Sequence, residues 1–259
     1  MERKKIGLAL GSGSAKGLAH IGVLKVLQQE KIPIDFIAGS SIGAVIGALY
    51  CCGADWHMLE KLASQLKQNH VVDLTVPRIG LIEGRKAHDL LKLLTQNKTF
   101  KDLKIPLAVT ATDLEKGELI VIQEGLVADA LRASISIPGI FKPYKWQGKV
   151  LVDGAVLERV PVSAVRDMGA DIVIAVDVKA GRKTDTRSNK INNIFDVIMY
   201  AIDLLEVKAF TNCCSDANVA ISPEIIDSGI FNFDIAEEYI KAGEEAAALQ
   251  AAAIKKIMR

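Results

Sequence analysis

The chain lacks an excess of charge of either sign. Its 32 Lys and Arg residues are balanced by 31 Asp and Glu residues, so the formal net charge is +1. A protein that attracts nucleic acid does so with a surplus of basic side chains, and this composition offers none. We therefore expect no nucleic-acid partner.

Cysteine is also scarce. The four cysteines form two adjacent pairs, Cys51-Cys52 and Cys213-Cys214. This spacing matches neither the patterns of zinc sites nor the disulfide framework of a small secreted domain. We expect free thiols and no bound metal.

No long apolar segment marks a leader or an anchor. The run Ile6 to Leu10 is shorter than the roughly 7–15 apolar residues of a secretory signal. Residues 36–54 carry no charge, but they contain several glycines and serines and begin with strand-type residues, which favours a buried strand and helix over a membrane span. We expect a cytoplasmic protein whose membrane contact, if it binds lipid, is peripheral to the inner face.

Strand-type and helix-type segments alternate along the chain, 50% of which is hydrophobic. This pattern predicts one α/β domain over residues 1–259, with a mostly parallel central sheet and helices on both faces. The predicted strands are 4–10, 34–38, 105–111, 118–123, 150–152 and 171–177, the predicted helices are 18–29, 42–51, 55–67, 84–94, 127–133, 162–167, 194–212 and 234–259, and an exposed loop is predicted at 181–193.

One motif, from Gly39 to Gly43, lies where a predicted strand gives way to a helix. With Ser41 at its centre it matches the nucleophile elbow, a tight turn that exposes a serine at the edge of a sheet. The two glycines let strand and helix approach closely, and the N-terminus of the helix favours negative charge near the hydroxyl. The alternative is that Ser40 or Ser41 simply caps the helix.

A second motif, the glycine- and serine-rich stretch from Gly11 to Gly17, also connects a strand to a helix. It fails the dinucleotide fingerprint because Lys16 stands where the third glycine belongs, and it fails the P-loop pattern because Gly17 follows that lysine. Its backbone N–H groups can instead form an oxyanion hole. A purely structural turn is the alternative.

A third motif, Asp153-Gly154-Ala155, directly follows an apolar strand. Taken alone it favours an ordinary turn over a catalytic aspartate.

The histidines restrict what kind of hydrolase is compatible with these motifs. His20, His57, His70 and His88 all precede Asp153, so the order serine, acid, histidine of the α/β-hydrolases is excluded. If Ser41 is a nucleophile, a carboxylate must accept its proton directly.

Taken in order, these residues resemble the bacterial patatin-like phospholipases, which are related to the esterase domain of neuropathy target esterase. The resemblance extends over nearly the whole chain. It rests on residues 8–24, 39–43 and 153–155, with further similarity at 133–141, 160–161, 169–171 and 234–243.

The resemblance implies a patatin-like three-layer α/β/α sandwich and a Ser-Asp dyad that needs neither metal nor cofactor. Ser41 is then the nucleophile and Asp153 the general base, and the amides of Gly13 and Ser14 form the oxyanion hole. Six further residues are expected to support these motifs: Gly11, Lys16, Gly17, Gly39, Gly43 and Gly154. The substrate is then a lipid or other acyl ester, and residues 135–141 line its acyl site unless they form a plain loop.

The resemblance also implies a catalytic core at residues 6–166, with strands and helices of 167–259 packed on it. Three residues depart from the family pattern: Ser12 and Ser14 replace glycines, and Lys16 stands where Arg is common. These departures leave a second function open, namely a regulatory or interaction protein with the same fold and weak turnover. A nucleotide-binding module is disfavoured by the failed fingerprints, and the sequence is silent on oligomeric state.

Overall fold

The computed structural model describes residues 3–65, 80–180, 182–183, 194–226 and 232–258. Eight strands form the main sheet in the order β5-β6-β3-β2-β1-β7-β9, with β4 also paired to β3, and β8 and β10 form a separate pair. The strands are β1 (Ile6–Leu10), β2 (Phe36–Ser40), β3 (Leu107–Asp113), β4 (Glu118–Ile122), β5 (Tyr144–Trp146), β6 (Lys149–Asp153), β7 (Ile172–Val176), β8 (Arg182–Lys183), β9 (Val219–Ile221) and β10 (Ile225–Ile226).

Eight α-helices accompany these strands in the described parts of the chain. They are α1 (Ala19–Gln29), α2 (Ile42–Cys51), α3 (Trp56–Gln65), α4 (Arg85–Leu94), α5 (Val127–Ser134), α6 (Val162–Asp167), α7 (Ile194–Ala209) and α8 (Ala236–Met258). None of the helices in the described ranges is long and apolar enough to cross a bilayer.

The two faces of the sheet carry side chains of different size. Alternate residues of β1, including Leu8 and Leu10, join the larger core cluster with α1, α2 and α8. The opposite face is lined by small residues such as Ala9, against which α6 packs. The contact is close, because a Cβ at Gly7 would overlap the Val165 side chain. Large residues on one face and small ones on the other thus produce the three-layer sandwich.

The expected fold class is confirmed. The strands β2, β1, β7 and β9 pair in parallel, as do β2 and β3, whereas β4, β5 and β6 join in antiparallel fashion. Residues 36–54 form β2 and α2, as expected in place of a membrane span. The second predicted strand was placed too early, at 34–38 instead of 36–40, because Asp35 still lies in the preceding turn, where its carboxylate accepts the N–H of Ile6.

Several short strands were not predicted, and some predicted segments lie outside the described residues. The short strands β5, β8, β9 and β10 were missed, since two or three residues carry no periodicity. The predicted loop at 181–193 lies outside the described residues except for β8. The end of the third predicted helix, at 66–67, and His70 lie outside them too.

Helices α1 and α8 touch through glycines on both sides. A Cβ at Gly22 would overlap the carbonyl oxygen of Ile240, and a Cβ at Gly243 would overlap the carbonyl oxygen of Ala19. Each helix therefore approaches the backbone of the other, a spacing that only glycine permits.

We predict that Gly243→Val lowers the free energy of unfolding by about 2 kcal/mol or more, because the two backbones must separate. Ala248→Val, at an exposed position of α8, serves as control. It should lower the free energy of unfolding by only about 0.5 kcal/mol, through helix propensity. Urea denaturation measures both variants. Equal losses would show that the close approach is not a constraint.

Candidate functional site

The register of the sheet brings two distant parts of the sequence to one point. Along β3, Thr110 pairs with Ser40 of β2, and the next residue, Ala111, pairs with Asp153 of β6. Because β4 pairs with 109–113 and occupies the opposite edge, β2 and β6 share the same edge of β3, end to end. The residue after Ser40 and the last residue of β6 therefore meet.

The turn between β2 and α2 has the geometry of a nucleophile elbow. Ser41 adopts φ 54° and ψ −125°, a strained conformation for a residue with a side chain. A Cβ at Gly43 would overlap the carbonyl oxygen of Leu10, and one at Gly39 would overlap the backbone of Ala44. Both glycines are thus required by the close approach of strand and helix.

Ser134, at the end of α5, holds this turn in place. Its buried hydroxyl oxygen accepts a hydrogen bond from the Ser41 backbone N–H at 2.8 Å. The bond satisfies an amide at the start of α2 and helps to keep the unusual Ser41 conformation.

Asp153 is placed by its own turn. Its Oδ1 accepts the N–H of Ala155 at 2.9 Å, and the Ser41 hydroxyl is a second hydrogen-bond partner of the carboxyl. A Cβ at Gly154 would crowd Oγ1 and the carbonyl oxygen of Thr110. The glycine after the aspartate therefore lets this turn lie directly against β3.

The dyad is largely withdrawn from water, since Ser41 is 7% exposed and Asp153 is 4% exposed. Burial raises the pKa of Asp153 to about 7, although the hydrogen bonds from Ser41 and Ala155 favour the charged form. A carboxyl with this pKa can both accept and return a proton near neutral pH.

The glycine-rich loop lies beside Ser41. The N–H groups of Gly11 and Ser12 bond to the carbonyl oxygens of Val176 and Arg159, each at 3.0 Å. Within the described part of the chain, the N–H groups of Gly13 and Ser14 have no acceptor. Two adjacent amides without an acceptor in those ranges thus belong to residues that line a pocket with Ser41. Ser14 has φ 50°, so a side chain here carries strain that glycine would not.

Lys16 and Gly17 end the glycine-rich stretch and belong to a short 3-10 helix (Ser14–Leu18) that leads into α1. A Cβ at Gly17 would overlap the Ile42 side chain, so this glycine allows the loop to pack on the first turn of α2. The Lys16 side chain is buried and faces no solvent.

The histidines of the described ranges take no part in the dyad. Buried His20 holds the loop, with Nε2 2.7 Å from the carbonyl oxygen of Gly11. Burial lowers its pKa to about 4, so the ring is neutral at pH 7 and donates this bond. His57 stacks on Trp56, and His88 bonds to Asp129.

Two cavities adjoin Ser41, and they differ in polarity. The larger has a volume of about 140 Å³ and an almost wholly apolar lining, which includes Ile135, Ile137 and Phe141. This volume is close to that of apolar cavities that hold a benzene-sized molecule. The smaller, of about 30 Å³, contains Asp153, Lys179 and Glu206. Helices α3 and α4 contribute to the wall of the larger cavity through residues such as Leu59, Ala63, Ala87 and Leu91.

One group of residues has the spacing of metal ligands. Ligand atoms of Asp177, Cys213 and Cys214 lie within 4.8 Å of one another. The guanidinium of Arg159 already pairs with this group, at 2.5 Å from Asp177 Oδ2 and 3.3 Å from Cys213 Sγ. The set is therefore occupied by a cation of the protein itself. Cys51 and Cys52 are buried free thiols.

Sequence reasoning missed four side chains that contribute to the site: Ser134, Arg159, Lys179 and Glu206. Only Glu206 carried a readable signal. It lies three residues after Asp203 in an otherwise apolar part of α7, and two carboxylates on one face of such a helix need a buried partner.

We predict that Asp153→Asn stabilises the protein at alkaline pH. The pKa of Asp153 in the folded protein, about 7, exceeds its value in the unfolded chain. The carboxyl therefore leaves the free energy of unfolding unchanged well below pH 4, lowers it progressively as the pH rises, and lowers it most above pH 7. The variant should gain roughly 1–4 kcal/mol of unfolding free energy at pH 8.5 and less at pH 5. Urea denaturation at both pH values measures this, with exposed Asp216→Asn as control. Equal gains at both pH values would contradict the assignment.

Comparison with known proteins agrees with this geometry. The sequence model of a family described as patatin-like phospholipase matches residues 8–166. An uncharacterized NTE family protein of Mycobacterium bovis is 36% identical over 196 residues, which are 71% of this chain and 53% of that protein. Lysophospholipase NTE1 of Coccidioides immitis is 34% identical over 183 residues, 68% of this chain and 12% of that protein.

The fold has solved counterparts as well. The crystal structure of VipD from Legionella pneumophila matches with a TM-score of 0.67 and 13% identity, covering 98% of this chain and 67% of that one. At this identity the likeness shows the fold alone. The chain spans about half or less of the curated relatives it matches. On the family match and these identities, the chain belongs to the patatin-like phospholipase family and is related to its NTE members.

Proposed function

We propose that this protein is a serine acyl hydrolase that cleaves lipid esters through an acyl-enzyme on Ser41, with Asp153 as the only general base. One observation supports this most directly. The Ser41 hydroxyl and the Asp153 carboxyl meet between a cavity lined by apolar side chains and a small polar pocket. Family membership favours a lipid hydrolase, since the family is described as phospholipases.

The first half-reaction would use the proton affinity of Asp153. As Ser41 Oγ attacks the ester carbonyl, its proton passes to the Asp153 carboxylate, which burial has made a stronger base than an exposed aspartate. The protonated carboxyl can then return the proton to the departing alcohol. In the second half-reaction Asp153 takes a proton from the water molecule that attacks the acyl-enzyme. It then returns this proton to Ser41 Oγ as the acyl–oxygen bond breaks and the fatty acid is released.

The oxyanion would be held by Gly13 and Ser14. Both residues line the polar pocket with Ser41, and their N–H groups have no acceptor within the described residues. Each such donor contributes about 3 kcal/mol of transition-state stabilisation. The N-terminus of α2, which begins immediately after Ser41, adds a favourable dipole.

The apolar cavity favours an acyl chain as its occupant. A chain attached at the carbonyl would enter between α2, α3 and α4, and its alcohol part would face the polar pocket. A lysophospholipase among the relatives suits a single-chain lipid ester. Contact with a membrane would then be peripheral.

We further propose that residues 1–259 act as a single domain. Residues 6–166 supply the dyad and the glycine-rich loop, whereas 167–259 supply Lys179 and Glu206 to the polar pocket. The second part is then needed for a complete site.

We predict that Ser41→Ala and Asp153→Asn each lower hydrolysis of p-nitrophenyl esters by about 10³-fold or more, because each removes one member of the dyad. A fluorophosphonate should label wild type on Ser41 and should not label Ser41→Ala. Ser163→Ala, which changes a surface serine, should keep wild-type rates. An inert and unlabelled wild type would refute the hydrolase and favour the regulatory alternative.

Enlarging a residue of the cavity wall should shorten the preferred acyl chain. Ala87 on α4 is buried and lines the cavity. We expect Ala87→Leu to lower kcat/KM for the longest p-nitrophenyl esters that wild type accepts, by about tenfold, with little change for acetate. Ala253→Leu, on the exposed face of α8, is the matched control. An unchanged chain-length profile would show that acyl chains bind elsewhere.

A further inference from the structure

A buried lysine lies between two carboxylates beside the dyad. Lys179 follows the end of β7 by three residues, and its Nζ is 2.7 Å from Asp203 Oδ1 and 2.5 Å from Glu206 Oε2. The three side chains are only 8–10% exposed. Both carboxylates come from α7, where a separation of three residues places them on one face.

Two members of this cluster line the polar pocket beside Ser41 and Asp153. Lys179 and Glu206 line the same small pocket as Ser41, Asp153 and Ser12. The pocket is at the carboxyl edge of the sheet, where β1, β2 and β7 deliver the glycine-rich loop, the nucleophile and the lysine. Charges here act on the dyad through a medium of low polarity, in which they are only weakly screened.

The two charges act on Asp153 in opposite directions. Burial is the largest cause of its raised pKa; beyond the two hydrogen bonds, the negative charge of Glu206 raises it further and the positive charge of Lys179 lowers it. Asp203 reaches the site through Lys179, and Arg159 bonds to the Glu206 carbonyl oxygen. Burial alone would lower the pKa of Lys179. The carboxylates of Glu206 and Asp203 outweigh this effect and raise the pKa, so Lys179 stays protonated.

We infer that Lys179 and Glu206 are positioning residues for the reaction at Ser41: their paired charges set how readily the Asp153 carboxyl ionises. The role rests on the proposed function of the dyad. Lys179 keeps the base ionised near neutral pH, and Glu206 keeps it basic enough to take the Ser41 proton. Neither side chain exchanges a proton with the substrate.

A purely structural role for the pair explains less. A buried ion pair adds little net stability compared with apolar side chains of the same size, because its desolvation offsets its attraction. Helix α7 is also held independently, since Arg159 bonds to the carbonyl oxygens of Glu206 and Phe210. The charges of the cluster therefore do something that packing alone does not require.

The test measures the Asp153 pKa directly. In protein labelled with ¹³C at aspartate carboxyls, the Asp153 signal is assigned by its loss in Asp153→Asn and followed through a pH titration. We expect Lys179→Met to move the pKa upward and Glu206→Gln to move it downward, each on the order of half a unit or more. Lys179→Arg, which keeps the charge, should restore the wild-type value.

A second readout connects this pKa to the reaction. The pH dependence of fluorophosphonate labelling at Ser41 should show its acid limb shifted in the same two directions. Lys25→Met, which removes the Lys25–Glu244 ion pair on the far helices, is the control and should shift neither readout. If one lysine variant fails to fold, Glu206→Gln alone still decides.

The inference would be overturned if the Asp153 pKa did not change in Lys179→Met and Glu206→Gln, or if it moved in the same direction in both variants. So would a shifted Asp153 pKa with an unshifted labelling profile, since the pair would then not act on the reaction. The proposed function fails separately, when wild-type Ser41 is not labelled at any pH. The titration does not depend on labelling, so the two failures are distinguishable.

Discussion

The site depends on one edge of β3. This edge is long enough for two strands, and β2 occupies its first part while β6, running the other way, occupies its end. Backbone hydrogen bonds fix both registers, so the end of one strand and the end of the other must face each other. The Ser41 hydroxyl and the Asp153 carboxyl thus meet without any direct connection between their segments. Gly43 lets the Ser41 turn lie against the end of β1, and Gly154 lets the Asp153 turn lie against β3.

Burial of the dyad governs its chemistry. A carboxyl enclosed by β3, α7 and the glycine-rich loop loses the water that would stabilise its charge, so its pKa rises towards neutrality. This favours proton transfer from a hydroxyl but makes ionisation sensitive to every nearby charge. The lysine and glutamate of the polar pocket are close enough to act on it, whereas the apolar cavity on the other side carries no charge. The two sides of Ser41 therefore differ in kind, one apolar and the other lined by charged side chains.

The serines in the glycine-rich loop show how much variation the loop tolerates. The backbone N–H of Ser12 still donates a hydrogen bond to the Arg159 carbonyl oxygen, so a side chain at this position leaves the course of the backbone intact. Ser14 adopts a left-handed conformation that glycine enters at lower cost. Gly13 and Ser14 still line the polar pocket together with Ser41, and the His20 ring holds the loop through the Gly11 carbonyl oxygen. A serine at position 14 therefore adds strain, while the loop keeps its place beside Ser41.

The sequence by itself determined the α/β alternation, the strand-to-helix turn at Ser41 and the absence of a histidine after Asp153, because periodicity, glycine spacing and residue order are local properties. It also indicated the glycine-rich loop and the Asp-Gly turn, although each had a plain structural alternative. Only the tertiary structure decided that these turns meet, because strand register along β3 depends on pairing between residues more than 40 positions apart. The same holds for the placement of Ser134 and Lys179, which depends on what packs against them and leaves no motif in the chain, whereas Glu206 left only its spacing from Asp203.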